Sequence, residues 1–317
     1  MQSGKTIALK RPDGGIGRRA GLKHQWIHFH AGSIPALGTE KESSACAGLF
    51  LYPILSTMRL LKSKYRLKKT GARLYRKMRF RKGFGVHSPF AFDLITKVIE
   101  EKSYFYAYQD IRAIQEHFIK HPGKAVYTDR KGKEHAVSYP SLFKQEAISS
   151  KKGKLLFRLT NFFKPKEIIQ LGTSLGFSSL YLAAYSSDVK VNAIENNESL
   201  APYIKDVIKG NDRIELHTGS YTTLIPEMMK KIEKADFVFF NLEREYEVNL
   251  QLFSLCIEKA HENTVFVINN IRKCNCTSKL WNEIIHNPNV SVTMDLYSMG
   301  IIFFNPKLHK RNYKVYF

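Results

Sequence analysis

Glu167-Ile-Ile-Gln-Leu-Gly-Thr-Ser-Leu-Gly-Phe-Ser-Ser-Leu-Tyr-Leu-Ala183 decides how this chain folds, because it joins a buried strand, a glycine turn and a helix start in one run. Ile168 to Leu171 is short and apolar, as a strand covered on both faces must be. Gly172 and Gly176 permit backbone angles that a Cβ resists, and Ser178 and Ser179 are placed to cap the helix that follows. A helix N-terminus then faces whatever rests on the turn, the usual place for a nucleotide in α/β proteins. Glu195 ends a second strand-like run nineteen residues past Gly176, where a carboxylate can hold a ribose diol.

Downstream, Val191 to Glu195, Ile214 to His217, Asp236 to Asn241 and Thr264 to Asn269 read as buried strands separated by helical stretches. Such alternation predicts right-handed crossovers and a parallel sheet. The ending differs: Val290 to Leu296 and Gly300 to Phe304 are separated only by Tyr-Ser-Met, which leaves no room for a helix and predicts an antiparallel hairpin. Upstream, Phe92, Ile95, Val98 and Ile99 recur at helical spacing after the Ser88-Pro89 punctuation, so a helical segment is expected before the glycine turn. Tyr104, Tyr106 and Tyr108 can wall a pocket or simply pack.

The formal charge of +22 over 317 residues is unevenly spread. Twelve Lys or Arg and no acid fall between residues 58 and 92, while residues 93–317 hold 31 basic against 25 acidic residues, a net +6. Residues 58–82 therefore form a basic arm able to meet a polyanion or an anionic membrane surface, with a merely solvated leader as the alternative. Four cysteines do not make a disulfide framework and point to a reducing, cytoplasmic setting. Cys274-Asn-Cys276 is read as two incidental thiols in preference to half of a metal site. No stretch reaches the roughly 20 apolar residues of a membrane span.

Residues 11–38 show neither helical nor strand periodicity and resemble a translated transfer-RNA gene. Ala20 to Gln25 can be encoded as a stem closing a seven-base loop centred on UAA, and Ala31 to Ala36 as a stem closing UUCGAUU. The expectation is a reading frame that starts at Met58. It divides the chain into a non-native or disordered stretch (1–57), the basic arm (58–83), a helical cap (84–150) and the cofactor-binding domain (151–317).

From about Arg81 onward the chain resembles a bacterial subgroup of class I S-adenosylmethionine-dependent methyltransferases. The resemblance rests on Gly85 to Phe90 (Gly-Val-His-Ser-Pro-Phe), Tyr104 to Tyr108, Lys154 to Leu159 and Leu171 to Gly176, in that order. It implies a Rossmann-like α/β sheet, mostly parallel with a C-terminal antiparallel hairpin, and S-adenosylmethionine as cofactor. It also implies that Gly172, Thr173, Ser174 and Gly176 approach the methionine and ribose, that Glu195 holds the ribose hydroxyls, and that Gly219 and Ser220 lie beside the adenine, with Asn241 completing the set.

The family pattern fails where catalysis would be expected. In place of Asp-Gly-Asn-His and Asp-Asp-Ile-His-Trp stand Asn241-Leu-Glu-Arg-Glu245 and Asn269-Asn-Ile-Arg-Lys273. Amides keep shape but lose charge and basicity, so no metal is expected. Glu243, Glu245 and His87 remain as weak candidates for a base. The expected function is methyl transfer to an unidentified acceptor; the alternatives are a degenerate cofactor-binding protein and a nucleic-acid-directed enzyme using the basic arm. The lack of an Asn-Pro-Pro-Tyr-type tetrapeptide after the fourth strand counts against base methylation.

Overall fold

The computed structural model describes residues 70–72, 74–83, 85–129, 132–241 and 245–317. The expectations for residues 1–57, the start at Met58 and the arm over residues 58–69 lie outside the described residues. The Ser88 hydroxyl accepts the Ala91 N–H at 3.4 Å and Pro89 occupies the first helical position, so α1 (Pro89–Leu94) begins there and continues into a π-helical turn over Ile95–Ile99. Next come α2 (Ala107–Lys120), an antiparallel hairpin of β1 (Lys124–Thr128) and β2 (Glu134–Ser138), α3 (Tyr139–Glu146) and α4 (Ser150–Phe163). The helical segment expected before the glycine turn thus also carries a small sheet.

From β3 (Glu167–Leu171) onward strands and helices alternate through α5 (Phe177–Ala183), β4 (Lys190–Glu195), α6 (Ala201–Ile208), β5 (Ile214–Thr218), α7 (Tyr221–Lys231), β6 (Ala235–Asn241), α8 (Tyr246–Ile257), β7 (Ala260–Asn269) and α9 (Asn275–His286). The chain then runs through β8 (Val292–Asp295), β9 (Met299–Phe303) and β10 (Arg311–Lys314). These strands form one eight-stranded sheet in the order β10-β8-β9-β7-β6-β3-β4-β5. Only β9 runs against its neighbours, β7 and β8; the other pairs are parallel. This is the α/β, Rossmann-like sheet with a closing hairpin that the sequence predicts. β10 was not expected: its charged Arg-Asn-Tyr-Lys hides a strand that reaches the edge of the sheet by pairing with β8.

Both faces of the sheet are covered, which is why its strands read as continuous apolar runs. Along β6, Phe237 and Phe239 point to the layer containing α4 and α5, while Val238 and Phe240 point to α7, α8 and α9. Every residue of α5 is buried, so the helix leaving the glycine turn is sealed under α4. The close approach occurs at Gly153, where a Cβ would lie 2.2 Å from the Tyr181 ring. Gly153→Ala is therefore expected to cost about 1–3 kcal/mol by overpacking, read as a lower urea midpoint with an unchanged m-value. Tyr108 packs into the same layer, 5.3 Å from Phe157, whereas Tyr104 and Tyr106 are exposed. Of the three tyrosines only Tyr108 is part of the core.

The described part of the basic arm joins the fold at several points: the Phe80 carbonyl accepts from the Tyr316 N–H at 3.1 Å, the Lys82 N–H donates to Glu100 at 2.8 Å, and Arg76 is buried. Residues 74–79 are helical, and Arg76 is buried against the sheet edge, donating to the Asp295 carbonyl at 2.6 Å and pairing with the Asp295 carboxylate at 3.1 Å. Arg272 reaches the same carboxylate from the other side, at 2.8 Å to Oδ1.

Candidate functional site

The crevice forms where the strand order reverses, between β3 and its neighbours β4 and β6. Beyond the end of β3, Gly172, Ser174, Leu175 and Gly176 all have positive φ, at 84°, 49°, 59° and 79°. Two of these are not glycine, so the turn holds backbone strain of the kind found at binding sites. Surrounding groups hold it in that shape. Buried Gln170 donates to the Gly172 carbonyl at 3.0 Å and to Ser178 Oγ at 2.7 Å, and Ser178 Oγ donates to the Thr173 carbonyl at 2.7 Å. Ser178 and Ser179 are therefore not caps: α5 starts at Gly176 without a side-chain cap, and both serines lie buried in its first turn. Ser178 braces the loop instead, because a left-handed Gly176 takes the capping position and moves the serines inward.

Glu195, 6% exposed, closes the crevice from β4. Its Oε2 accepts from the Thr173 N–H at 3.0 Å and hydroxyl at 2.7 Å, and its Oε1 accepts from the Asn197 N–H at 3.2 Å. A carboxylate offers about four acceptor positions, so one remains for a ligand hydroxyl. The Gly219 N–H donates to the Glu195 carbonyl at 3.0 Å, which puts the Gly219-Ser220 turn next to it; Ser220 is exposed at the start of α7. Asn241 ends β6 with its Cβ 2.9 Å from where a Gly172 Cβ would stand, and donates to Ser174 Oγ at 3.4 Å. Gly172, Thr173, Ser174, Glu195, Gly219 and Asn241 thus meet beyond the ends of these strands, while Gly176 packs against α6, where a Cβ would lie 2.9 Å from Ile208. The β1–β2 hairpin adds a wall that the sequence did not suggest: Asn197 Nδ2 donates to the Thr128 carbonyl at 2.9 Å, and Tyr203 bridges to both backbone groups of Val126.

Beside the crevice, Asn241 and Asn269 are register partners at the ends of β6 and β7. Asn269 Nδ2 donates to Asn241 Oδ1 at 3.0 Å, and Asn270 Nδ2 does so at 3.4 Å. Their own carbonyl oxygens face Lys152 of α4, whose Nζ donates to Asn269 at 2.5 Å and to Asn270 at 3.1 Å. The donors run in one direction, from ammonium through three amides to Ser174. Lys152 was missed because its partners lie more than a hundred residues away. The available signal was a Lys-Lys pair in the first turn of a helix, the wrong end for a cation.

Past Asn270 a cavity of about 490 Å³ opens, bounded by α4, the β7–α9 connection, the β8–β9 turn and the last residues of the chain. Tyr297, in its wall, has φ 71° and lies 5.4 Å from both the Arg76 and Arg272 guanidinium carbons. Burial alone would raise the Asp295 carboxyl, but the hydrogen bonds and charges of Arg272 and Arg76 outweigh it and hold it below the usual carboxylate range.

His87 is exposed in the turn before α1, Glu245 is exposed at the start of α8, and Glu243 lies outside the described residues. Among the described residues no three His, Cys, Asp or Glu side chains gather as a metal site. Cys274 and Cys276 are bonded as a disulfide, which corrects their reading as incidental thiols. Cys274 is the extended N-cap of α9, a geometry that turns its Sγ back over the first turn and onto Cys276. The remaining described cysteine, Cys256, is a buried thiol whose pKa burial pushes up. No helix among the described residues is long and apolar enough to cross a membrane.

Comparison with known proteins bears on this geometry. The family model for O-methyltransferases matches residues 131–311. The O-methyltransferase imqG of Aspergillus flavus is 21% identical over 148 residues, 45% of this chain and 56% of that protein, so the chain spans about half the length of this curated relative. Among solved structures, an O-methyltransferase from Bacillus cereus in complex with SAH is 18% identical with a TM-score of 0.46, covering 67% of this chain and 96% of that one. The SAH-bound Podospora anserina methyltransferase PaMTH1 is 12% identical with a TM-score of 0.47, covering 68% and 96%. Matched by the family model over more than half its length, the chain belongs to the O-methyltransferase family, whose members use S-adenosylmethionine.

Proposed function

We propose that this chain binds S-adenosylmethionine in the crevice at the ends of β3, β4, β5 and β6 and methylates an acceptor held in the neighbouring cavity, without a divalent metal. The observation that carries the reading is the strained turn from Gly172 to Gly176, in which Gly172 has φ 84° and approaches Asn241 so closely that a Cβ there would stand 2.9 Å from the Asn241 Cβ. When bound, the cofactor supplies an electrophilic methyl group on a sulfonium. Thr173, Ser174 and Asn241 line its approach, Glu195 keeps one acceptor position for a ribose hydroxyl, and Gly219 and Ser220 flank the base. The hydrogen-bonded series from Ser174 through Asn241 to Asn270 joins the crevice to the cavity, so one rigid network orients both sides of the transfer.

The donor set at Asn241, Asn269 and Asn270 does not suit a divalent ion. A hard cation takes carboxylates, carbonyls and water, whereas here two of three amide oxygens are already turned to the Lys152 ammonium. Lys152 provides the positive charge that a metal would bring. The arm's Arg76 is committed to Asp295, which weakens a nucleic-acid role for this part of it.

Calorimetric titration with S-adenosylhomocysteine tests the cofactor reading. Saturable 1:1 binding is expected, weakened at least about tenfold (1.4 kcal/mol) in Glu195→Ala. No binding by the parent protein would end the reading. Manganese titration followed by electron paramagnetic resonance is expected to show no saturable site; a site of micromolar affinity, lost in Asn269→Ala, would overturn metal independence.

A further inference from the structure

The arm helix is anchored by one face and leaves the other in water. At about 3.6 residues per turn, Leu74, Met78 and Tyr75 fall within an arc of roughly 100°, on the side away from Arg76. They are 58%, 80% and 61% exposed, three large apolar side chains within five positions. Lys77 and Arg79 border the arc on its two sides, and Arg81 and Lys82 follow the helix, all exposed. An apolar stripe between basic margins is the pattern of a helix that lies in a membrane interface. The fold holds this stripe outward. Arg76 is fixed to the Asp295 carbonyl at 2.6 Å and to its carboxylate at 3.1 Å, and the Phe80 carbonyl takes the Tyr316 N–H at 3.1 Å. Rotating the helix to bury Leu74 and Met78 would break a buried ion pair, at far greater cost than leaving them exposed.

Charge selects the partner. Twelve Lys or Arg and no acid stand between residues 58 and 92. Glu100 and Glu101 lie beside Lys77 and Arg81, but six Lys or Arg share that shallow depression with them. Their carboxylates also accept the backbone N–H groups of Lys82, Lys102 and Ser103. A second copy of the chain, meeting this face across a two-fold axis, would set the same basic margins against each other. Single-stranded nucleic acid matches the charge but stacks on flat rings, which Leu74 and Met78 do not offer. An anionic lipid surface satisfies both parts. Hydrocarbon takes Leu74 and Met78, tyrosine suits the headgroup boundary, and Lys and Arg reach phosphates on long apolar stems.

We propose that the arm helix docks on an anionic phospholipid surface, with Leu74, Tyr75 and Met78 entering the headgroup boundary and Lys77, Arg81 and Lys82 meeting the lipid phosphates. Arg76, on the same helix, lines the cavity of about 490 Å³, so docking brings that cavity close to the lipid. Docking requires neither cofactor nor acceptor.

Co-sedimentation of the full chain with phosphatidylcholine vesicles, with and without phosphatidylserine, tests the proposal. Binding is expected to be at least about tenfold stronger with phosphatidylserine present and to weaken as salt rises. In Leu74→Ser/Met78→Ser it is expected to fall by at least about tenfold, with the urea midpoint unchanged because both positions are exposed. Tyr75→Trp reports insertion directly: its fluorescence is expected to shift to the blue on phosphatidylserine vesicles and to be quenched by bromine-labelled acyl chains. No binding to either vesicle, undiminished binding by the double serine variant, or no quenching in Tyr75→Trp would overturn the proposal. Binding of poly(U) that displaces the protein from vesicles and is lost in the double serine variant would also overturn it, assigning the face to nucleic acid. A concentration-dependent dimer in analytical ultracentrifugation, lost in the double serine variant while the parent ignores vesicles, would assign it to a second copy instead.

Discussion

Gly172→Ala is expected to lower affinity for S-adenosylhomocysteine by at least about tenfold, and Gly172→Arg to abolish it. Two independent features of the turn lead there. The backbone at Gly172 has φ 84°, which a residue with a Cβ adopts only under strain of order 1–3 kcal/mol. The new Cβ would also stand 2.9 Å from Asn241 Cβ and 3.3 Å from Tyr221 Oη. Neither neighbour is a flexible chain end: the Asn241 Cβ is fixed to the backbone at the end of β6, and Tyr221 is buried. Relief therefore requires the turn to move, and the turn carries the Thr173 groups that donate to Glu195 and the Ser174 hydroxyl that meets Asn241. The cofactor-facing surface shifts as a unit. Calorimetry gives the affinity, and far-UV circular dichroism with a thermal melt shows whether the variant is still folded. A folded Gly172→Arg protein that binds with parental affinity would remove the crevice from the cofactor reading.

That turn was legible because its information is local. A buried strand, two glycines and a carboxylate nineteen residues later are contiguous in sequence, and both faces of the sheet being covered made the strands stand out as apolar runs. What escaped depends on chain segments meeting from a distance. Lys152 becomes part of the site only because α4 packs over α5 and presents it to amides at the end of β7. The β1–β2 hairpin reads as polar because one of its faces is in water, yet its backbone binds Asn197 and Tyr203 beside Glu195. The serines after the glycines fit a capping pattern, but a left-handed Gly176 displaced them. The charge-rich arm hid the opposite error: Arg76 is a buried structural residue, and composition alone cannot separate one such arginine from its solvated neighbours.

Asp295→Ala is expected to destabilise the protein by about 3–5 kcal/mol, the cost of leaving buried guanidinium charge without its partner. Arg76 and Asp295 are each 8% exposed, and the same carboxylate takes hydrogen bonds from Arg272 and from the Tyr297 N–H, the latter at 2.8 Å. One side chain thus ties together the arm helix, the β7–α9 connection and the β8–β9 turn, which are three walls of the cavity of about 490 Å³. The sign of the pH dependence follows. A carboxyl held below its unfolded value of about 3.9 contributes stability that is fully present above that pH and is lost as pH falls through the folded value. Urea midpoints of the parent are therefore expected to drop below about pH 4 more steeply than those of Asp295→Asn, which keeps the shape but has no charge to lose. At pH 7 the order should be parent, then Asn, then Ala, since the amide still accepts from Arg272. If Asp295→Ala unfolds at the parental midpoint, the triad does not anchor the arm. Arg76→Met separates the arm's share: it removes one buried charge while Arg272 still pairs with Asp295, so a smaller loss is expected, with the arm helix released to proteolysis.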